Sequence, residues 1–330
     1  MSFANIPGNA RIKKILKAAL LRETLPNSLL FIGPEGVGKM QTALEVAKAL
    51  NCQRMKDDAC GNCEPCRTIA AGLFPDVMIL RQDKNMIKID PIRDLKQAAY
   101  LKPMTGGKRV FIIEEAEKMN VEAANTLLKV LEEPPAFSFL LLVTSNPFLI
   151  LPTVKSRCQT LKFAPIGKDD ILEELKAKGY PEEQAEGMAL IARGNLKRAL
   201  NMDWDEVREI REKAWMLLLS MVSRKNLTSL MKSYAYRRRS EFVEEFQQIL
   251  EMLAAFCRDL MLVKEGGDIH FLLNPDYAEK IVEAGTRLSV ESAREIPSRI
   301  DHALHVLKNH VNTGLLVSSL CISLMGESHV

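Results

Sequence analysis

Gly33-Pro34-Glu35-Gly36-Val37-Gly38-Lys39-Met40 has the residue types of a phosphate-binding loop. The pattern G-x-x-x-x-G-K continues with Ser or Thr, whose hydroxyl holds a magnesium ion. Met40 offers a thioether in that place and cannot do so. In such a loop successive backbone N–H groups point at phosphate oxygens. The helix that follows adds its positive end, and Lys39 adds a full charge. The loop thus reads as a cradle for ATP or ADP, or as descended from one, with the Mg2+ hydroxyl missing. The competing reading is a glycine turn with a solvated Lys39.

A second group is acidic. The apolar run Arg109-Val110-Phe111-Ile112-Ile113 ends in Glu114-Glu115. In phosphate-loop enzymes an acidic residue there supports magnesium, and the next polarises the attacking water. Glu114 stands where Asp is usual, and its extra methylene displaces the oxygen and unsettles magnesium geometry. An exposed acidic cap is the alternative, since Glu117 follows.

A third group is thiol. Cys52, Cys60, Cys63 and Cys66 have the spacing C-x7-C-x2-C-x2-C. Four thiolates at this reach close tetrahedrally around Zn2+, in the four-ligand type of structural site. Gly61 and Pro65 supply the turns. A redox pair is the rival reading, but no thioredoxin-like β-α-β pattern surrounds it. A closed site leaves no place for water, so its role is structural. Cys158, Cys257 and Cys321 are scattered, and Cys158 reads as packed against a sheet.

These groups need elements to position them. Ser28–Ile32 is a short apolar run ending at the glycine loop, and Asp76–Leu80, Arg109–Ile113 and Phe139–Thr144 are similar, with Gln159–Phe163 as a fifth. Apolar strands separated by helices imply a parallel sheet covered on both faces. Helical spacing is carried by Ile12, Ile15, Leu16, Ala19 and Leu20. It recurs in Ala43, Val46, Ala47 and Leu50, and in Ile92, Leu95 and Ala99. Asn120 caps a helix carrying Val121, Ala124, Leu127, Leu128 and Leu131, stopped by Pro134-Pro135. After Pro165 only helical patterns remain, including Trp215, Leu218 and Leu219, then Phe242, Phe246, Ile249 and Leu253, then Ala303, Leu304 and Leu307. Arg237-Arg238-Arg239 reads as solvated surface or a helix end.

Bulk composition agrees. The chain has 330 residues, 47% hydrophobic and 26% charged, the profile of a soluble globular protein of two or three domains. A net charge of +3 is too small to argue nucleic-acid binding by itself. No apolar run approaches the roughly 20 residues needed to cross a bilayer. The start shows no secretory signal, so a cytoplasmic protein with no membrane partner is expected.

Taken in order, four motifs carry a resemblance. They are the glycine loop, Glu114-Glu115-Ala116, the run from Ala123 to Leu131-Glu132-Glu133-Pro134-Pro135, and Ser156-Arg157-Cys158. Together the chain resembles the AAA+ clamp-loader subunits of bacterial DNA polymerase III. The resemblance implies an α/β AAA+ P-loop domain over residues 1–163, with the zinc module 52–66 inserted. A small helical lid would follow at 164–203, then an all-α collar for oligomerisation at 204–330. It implies that Arg157 is an arginine finger reaching the γ-phosphate held by a neighbouring subunit. Thr144, Ser145 and Asn146 fall where the family has its first nucleotide sensor. Lys197 falls where active members have the Arg of the second, with Arg198 one step off that face.

The nucleotide positions are thus Gly33, Gly36, Gly38, Lys39, Met40, Glu114, Glu115, Asn146 and Lys197. Implied partners are the tau/gamma and delta types of subunit, the ring-shaped sliding clamp and, through the assembly, primed DNA. The altered loop and the stop after one helical C-terminal domain resemble the delta-prime type, whose own ATPase would be weak or absent. The tau/gamma type usually keeps Thr or Ser after the loop lysine. A competent ATPase and a nucleotide-independent scaffold remain the alternatives. The family contacts DNA phosphates, and Lys102, Lys108 and Arg109 form a basic cluster near the sheet, with no single residue assigned to that contact.

Overall fold

Five short apolar runs line up as one parallel sheet. The computed structural model describes residues 2–83, 86–223, 239–287 and 298–304. The strands are β1 (Ser28–Ile32), β2 (Val77–Leu80), β3 (Arg109–Ile113), β4 (Ser138–Thr144) and β5 (Gln159–Lys162). Their order across the sheet is β2-β3-β4-β1-β5, and every neighbouring pair is parallel. β1, β3 and β4 are buried along their whole length, as continuous apolar runs require. The edge strand β2 is only partly covered, and Met78 reaches solvent.

Helices fill the connections. They are α1 (Ala10–Leu21), α2 (Lys39–Leu50), α3 (Glu64–Ala70), α4 (Ile89–Ala99), α5 (Val121–Glu132) and α6 (Pro152–Lys155). On one side Ile92, Leu95 and Ala99 of α4 join Ala124, Leu127, Val130 and Leu131 of α5. They pack against Phe111, Ile113, Leu140 and Leu142 of the sheet. Asn120 caps α5 as its position predicts, its side-chain oxygen accepting the Ala123 N–H at 2.8 Å. Two residues expected inward are not. Ile15 is about half exposed, and Val121, at the first position of α5, faces solvent.

By its contacts the chain divides into two units, Met1–Asn201 and Met202–Val330. The first includes three further helices, α7 (Lys168–Ala177), α8 (Glu182–Ile191) and α9 (Leu196–Asn201). The second is helical among its described residues. α10 (Trp204–Ser223) packs on the helix Arg239–Lys264, with Trp215 and Phe256 ring centroids 5.3 Å apart. Tyr277 completes this aromatic cluster. Buried Asp259 accepts the Leu273 and Asn274 N–H groups and orders the turn beyond that helix.

Arg237, Arg238, Leu307 and Cys321 lie outside the described residues, as do the side chains of Arg239 and Phe242. Among the described residues no helix is long and apolar enough to cross a membrane.

Candidate functional site

The phosphate loop joins β1 to α2 at the carboxyl end of the sheet, where open α/β sheets bind ligands. Gly36 and Gly38 have φ of +71° and +88°, in the left-handed region that glycine tolerates. Gly36 is also required by contact. A Cβ there would lie 1.6 Å from Oδ1 of Asn195, at the start of α9. The backbone seals this approach, for the Leu196 N–H donates to the Gly36 carbonyl at 3.1 Å.

Lys39 turns back onto its own loop. Its Nζ donates to the carbonyls of Gly33 at 2.6 Å and Pro34 at 2.5 Å. It is buried, and burial lowers its pKa while the Glu117 and Glu35 carboxylates oppose that shift. Met40 follows, half-buried. The nearest hydroxyl on α2, that of Thr42, donates to the Gly38 carbonyl at 2.8 Å and is not a substitute for the missing one.

The acidic pair at the end of β3 is divided between two surroundings. Glu114 faces the edge strand, where its Oε2 accepts from Arg81 Nε at 2.9 Å. Since β4 lies between β3 and β1, this direction leads away from the phosphate loop. Glu115 takes a left-handed backbone, φ +50° and ψ +52°, a conformation uncommon for a residue with a side chain.

Of the two carboxylates whose charge acts on Lys39, Glu117 outweighs Glu35, and sequence reasoning passed it over as part of an acidic cap. Its Oε1 accepts from the Ser145 N–H at 3.0 Å, the Ser145 hydroxyl at 2.8 Å and the Asn146 N–H at 3.3 Å. Its Oε2 is buried without a hydrogen-bond partner. Burial pushes its pKa up, but these bonds outweigh it and the net shift is downward, so it stays ionised. The only signal in the sequence was its spacing, three residues past Glu114.

The sensor positions are also placed. The Asn146 side-chain oxygen accepts the Phe148 N–H at 3.2 Å and so closes a turn. Lys197 is exposed on α9, while Asn195 is the residue of that segment that meets the loop.

Arg157 follows α6 at the surface. Its Nε donates to Glu132 Oε1 at 2.7 Å and its Nη1 to the Thr153 carbonyl at 2.9 Å. The basic cluster needs correction. Arg109 is buried and bound to Asp76 at 2.8 Å and to the Ala98 carbonyl at 2.9 Å, so it holds the sheet edge rather than facing outward.

The four clustered thiols converge. The Sγ atoms of Cys52, Cys60, Cys63 and Cys66 all lie within 4.8 Å of one another. Tetrahedral zinc with Zn–S near 2.3 Å asks for sulfur separations of about 3.8 Å, so the donor set fits. The Met55 and Cys63 N–H groups donate to Cys52 and Cys60 sulfurs at 3.4 and 3.3 Å. Backbone N–H groups of Asn62 and Cys63 draw the Cys60 thiol down to about 6, whereas burial pushes Cys66 up. Buried Asp58 fastens the module by accepting from the Phe3 and Ala59 N–H groups and pairing with Lys17 at 2.7 Å.

A parallel sheet in this order, with a phosphate loop after its first strand and helices between its strands, is the phosphate-loop class of α/β fold. Residues 8–167 match the family model described as DNA polymerase III, delta subunit. The DNA polymerase III subunit delta' of Pseudomonas aeruginosa is 41% identical over 165 residues, 49% of this chain and 50% of that one. The delta' subunit of Bacillus subtilis is 27% identical over 315 residues, 95% of each chain. The tau subunit of Bacillus subtilis is 29% identical over 283 residues, 79% of this chain and 50% of that one. The chain thus spans half the length of the Pseudomonas and tau relatives and nearly all of the Bacillus delta' subunit. A solved gamma-subunit-related protein of Thermotoga maritima is 18% identical, with coverage of 95% and 98% and a TM-score of 0.43. The chain is thus similar to the delta' and tau subunits of bacterial DNA polymerase III, and residues 8–167 carry the match to the delta subunit family model.

Proposed function

We propose that this chain is a non-motor subunit of the replicative clamp loader. It works beside ATP-hydrolysing tau/gamma-type subunits and a delta-type subunit to load the sliding clamp onto primed DNA. It donates Arg157 to the active site of a neighbour and hydrolyses little or no ATP itself. The guanidinium suits that task because it is permanently charged, planar and forked.

The observation that carries this reading is the contrast between the two halves of the machinery. Arg157 stands at the surface with its fork ordered. The chain's own site has Met40 in place of the magnesium hydroxyl, Lys39 bonded to the loop carbonyls and Glu114 engaged by Arg81. Gly33, Gly36, Gly38 and Lys39 are in this view a degenerate cradle. Glu115, Asn146 and Lys197 keep sensor and carboxylate positions without completing them. Zinc on Cys52, Cys60, Cys63 and Cys66 has a structural role. Residues 164–203 act as the lid and 204–330 as the collar that joins other subunits.

The test is reconstitution of the loader with Arg157→Ala. DNA-stimulated ATP hydrolysis at the site that the finger completes is expected to fall by about 10³ or more. Unchanged turnover with unchanged clamp loading would reject the finger role. Brisk hydrolysis by the isolated chain, abolished by Lys39→Ala, would favour a motor subunit instead. Calorimetry showing no ATP binding, with normal loading by Arg157→Ala, would favour a scaffold.

A further inference from the structure

Two of the most specific sequence motifs meet in space. Glu132, from Leu131-Glu132-Glu133-Pro134-Pro135, is the last residue of α5. Arg157, from Ser156-Arg157-Cys158, follows α6. Arg157 Nε donates to Glu132 Oε1 at 2.7 Å, and Nη2 pairs with the same oxygen at 2.5 Å. On its other side Nη1 donates to the Thr153 carbonyl at 2.9 Å, while the Ser156 hydroxyl, at 3.4 Å, takes a looser bond. The guanidinium is therefore gripped from two directions, which fixes both its place and its plane.

The two anchors are themselves fixed. Leu131, beside Glu132, and Cys158, beside Arg157, are buried in one apolar cluster with Leu127, Val130, Ile150 and Val154. A carboxylate is also an unfavourable choice at the end of α5. The helix dipole places negative partial charge there, and a cation is the favoured partner. Glu132 gains little from its own helix, and the cation it meets is Arg157.

We infer that Glu132 is the positioning residue of the arginine finger. Resting on the reading given above, it holds the Arg157 guanidinium ready for the γ-phosphate of the neighbouring subunit. A free arginine samples many rotamers, and ordering it only at the transition state slows the reaction. The donors not taken by Glu132 and Thr153, on Nη1 and Nη2, remain to engage the phosphate.

The experiment is steady-state ATPase of the reconstituted loader with position 132 varied. Glu132→Ala is expected to lower kcat by about 10- to 100-fold with KM unchanged, since a misplaced finger fails in the transition state. Glu132→Gln keeps an acceptor oxygen at the same reach and is expected to restore most of the rate. Glu132→Asp keeps the charge but not the reach and is expected to resemble alanine. In the Arg157→Ala background, Glu132→Ala is expected to add nothing.

An equal loss from Glu132→Ala with and without Arg157 would overturn the inference, because Glu132 would then serve the fold alone. So would a Glu132→Ala loader that runs at the wild-type rate while Arg157→Ala is crippled. A silent Arg157→Ala would instead sink the finger reading itself, and this inference with it.

Discussion

Arg81 Nε donates to Oε2 of Glu114 at 2.9 Å, joining the ends of the adjacent strands β2 and β3. In the proposed reading the cation thus takes a carboxylate that would support magnesium. Met40 removes the other protein ligand of that ion. The two changes lie on different elements, one at the start of α2 and one at the ends of β2 and β3, and in the proposed reading both act on one ion.

Restoring the hydroxyl alone is therefore not enough. Met40→Thr in the isolated chain is expected to leave ATP hydrolysis at background, and Met40→Thr with Arg81→Ala to gain magnesium-dependent nucleotide binding by about tenfold, roughly 1.4 kcal/mol. Calorimetry with and without magnesium reads both. Vigorous turnover by Met40→Thr alone would show that the missing hydroxyl was the sole defect.

Metal removal should act locally. Purified protein is expected to carry one zinc per chain, and Cys66→Ser, at a buried position, to lose it. Amide exchange in residues 52–70 should then rise sharply while β3 and β4 stay protected. Zinc content unaffected by Cys66→Ser would contradict the four-thiol site.

The sheet edge carries its own acid sensitivity. Burial pushes the Asp76 carboxyl up, but bonds from the Thr105 hydroxyl, the Met104 and Thr105 N–H groups and Arg109 outweigh it. Its pKa is held at about 2, below the ordinary 3.8. With a depressed folded-state value, the stabilisation is complete above the unfolded pKa and is lost as pH falls through about 2. Asp76→Ala leaves Arg109 buried without its partner and is expected to cost about 3–5 kcal/mol at neutral pH. Trp204 and Trp215 both lie in the second unit, so fluorescence is the wrong probe. Amide exchange in β2 and β3 is the measurement, and unchanged protection there in Asp76→Ala would refute the account.

The strands were legible because each is a short apolar run between polar turns. β1 and β3 match their expected limits, and β2, β4 and β5 differ by one residue. The cysteine cluster was legible because all four ligands fall in one segment. Arg109 misled because a cation in sequence gives no hint of a buried carboxylate 33 residues away. Glu117 was passed over because its partners, Ser145 and Asn146, lie just past the end of β4, 28 and 29 residues further along the chain.

Local chemistry written in the chain thus determined the strands, the glycine loop, the thiol set and the loss of the magnesium hydroxyl. Each depends on residues a few positions apart, where covalent geometry limits what they can do. Which carboxylate acts most on Lys39, which one Arg81 takes and which one grips Arg157 were decided only in three dimensions. Those pairings join residues brought together by strand order and helix packing, and a long chain closes such distances only when its core has formed.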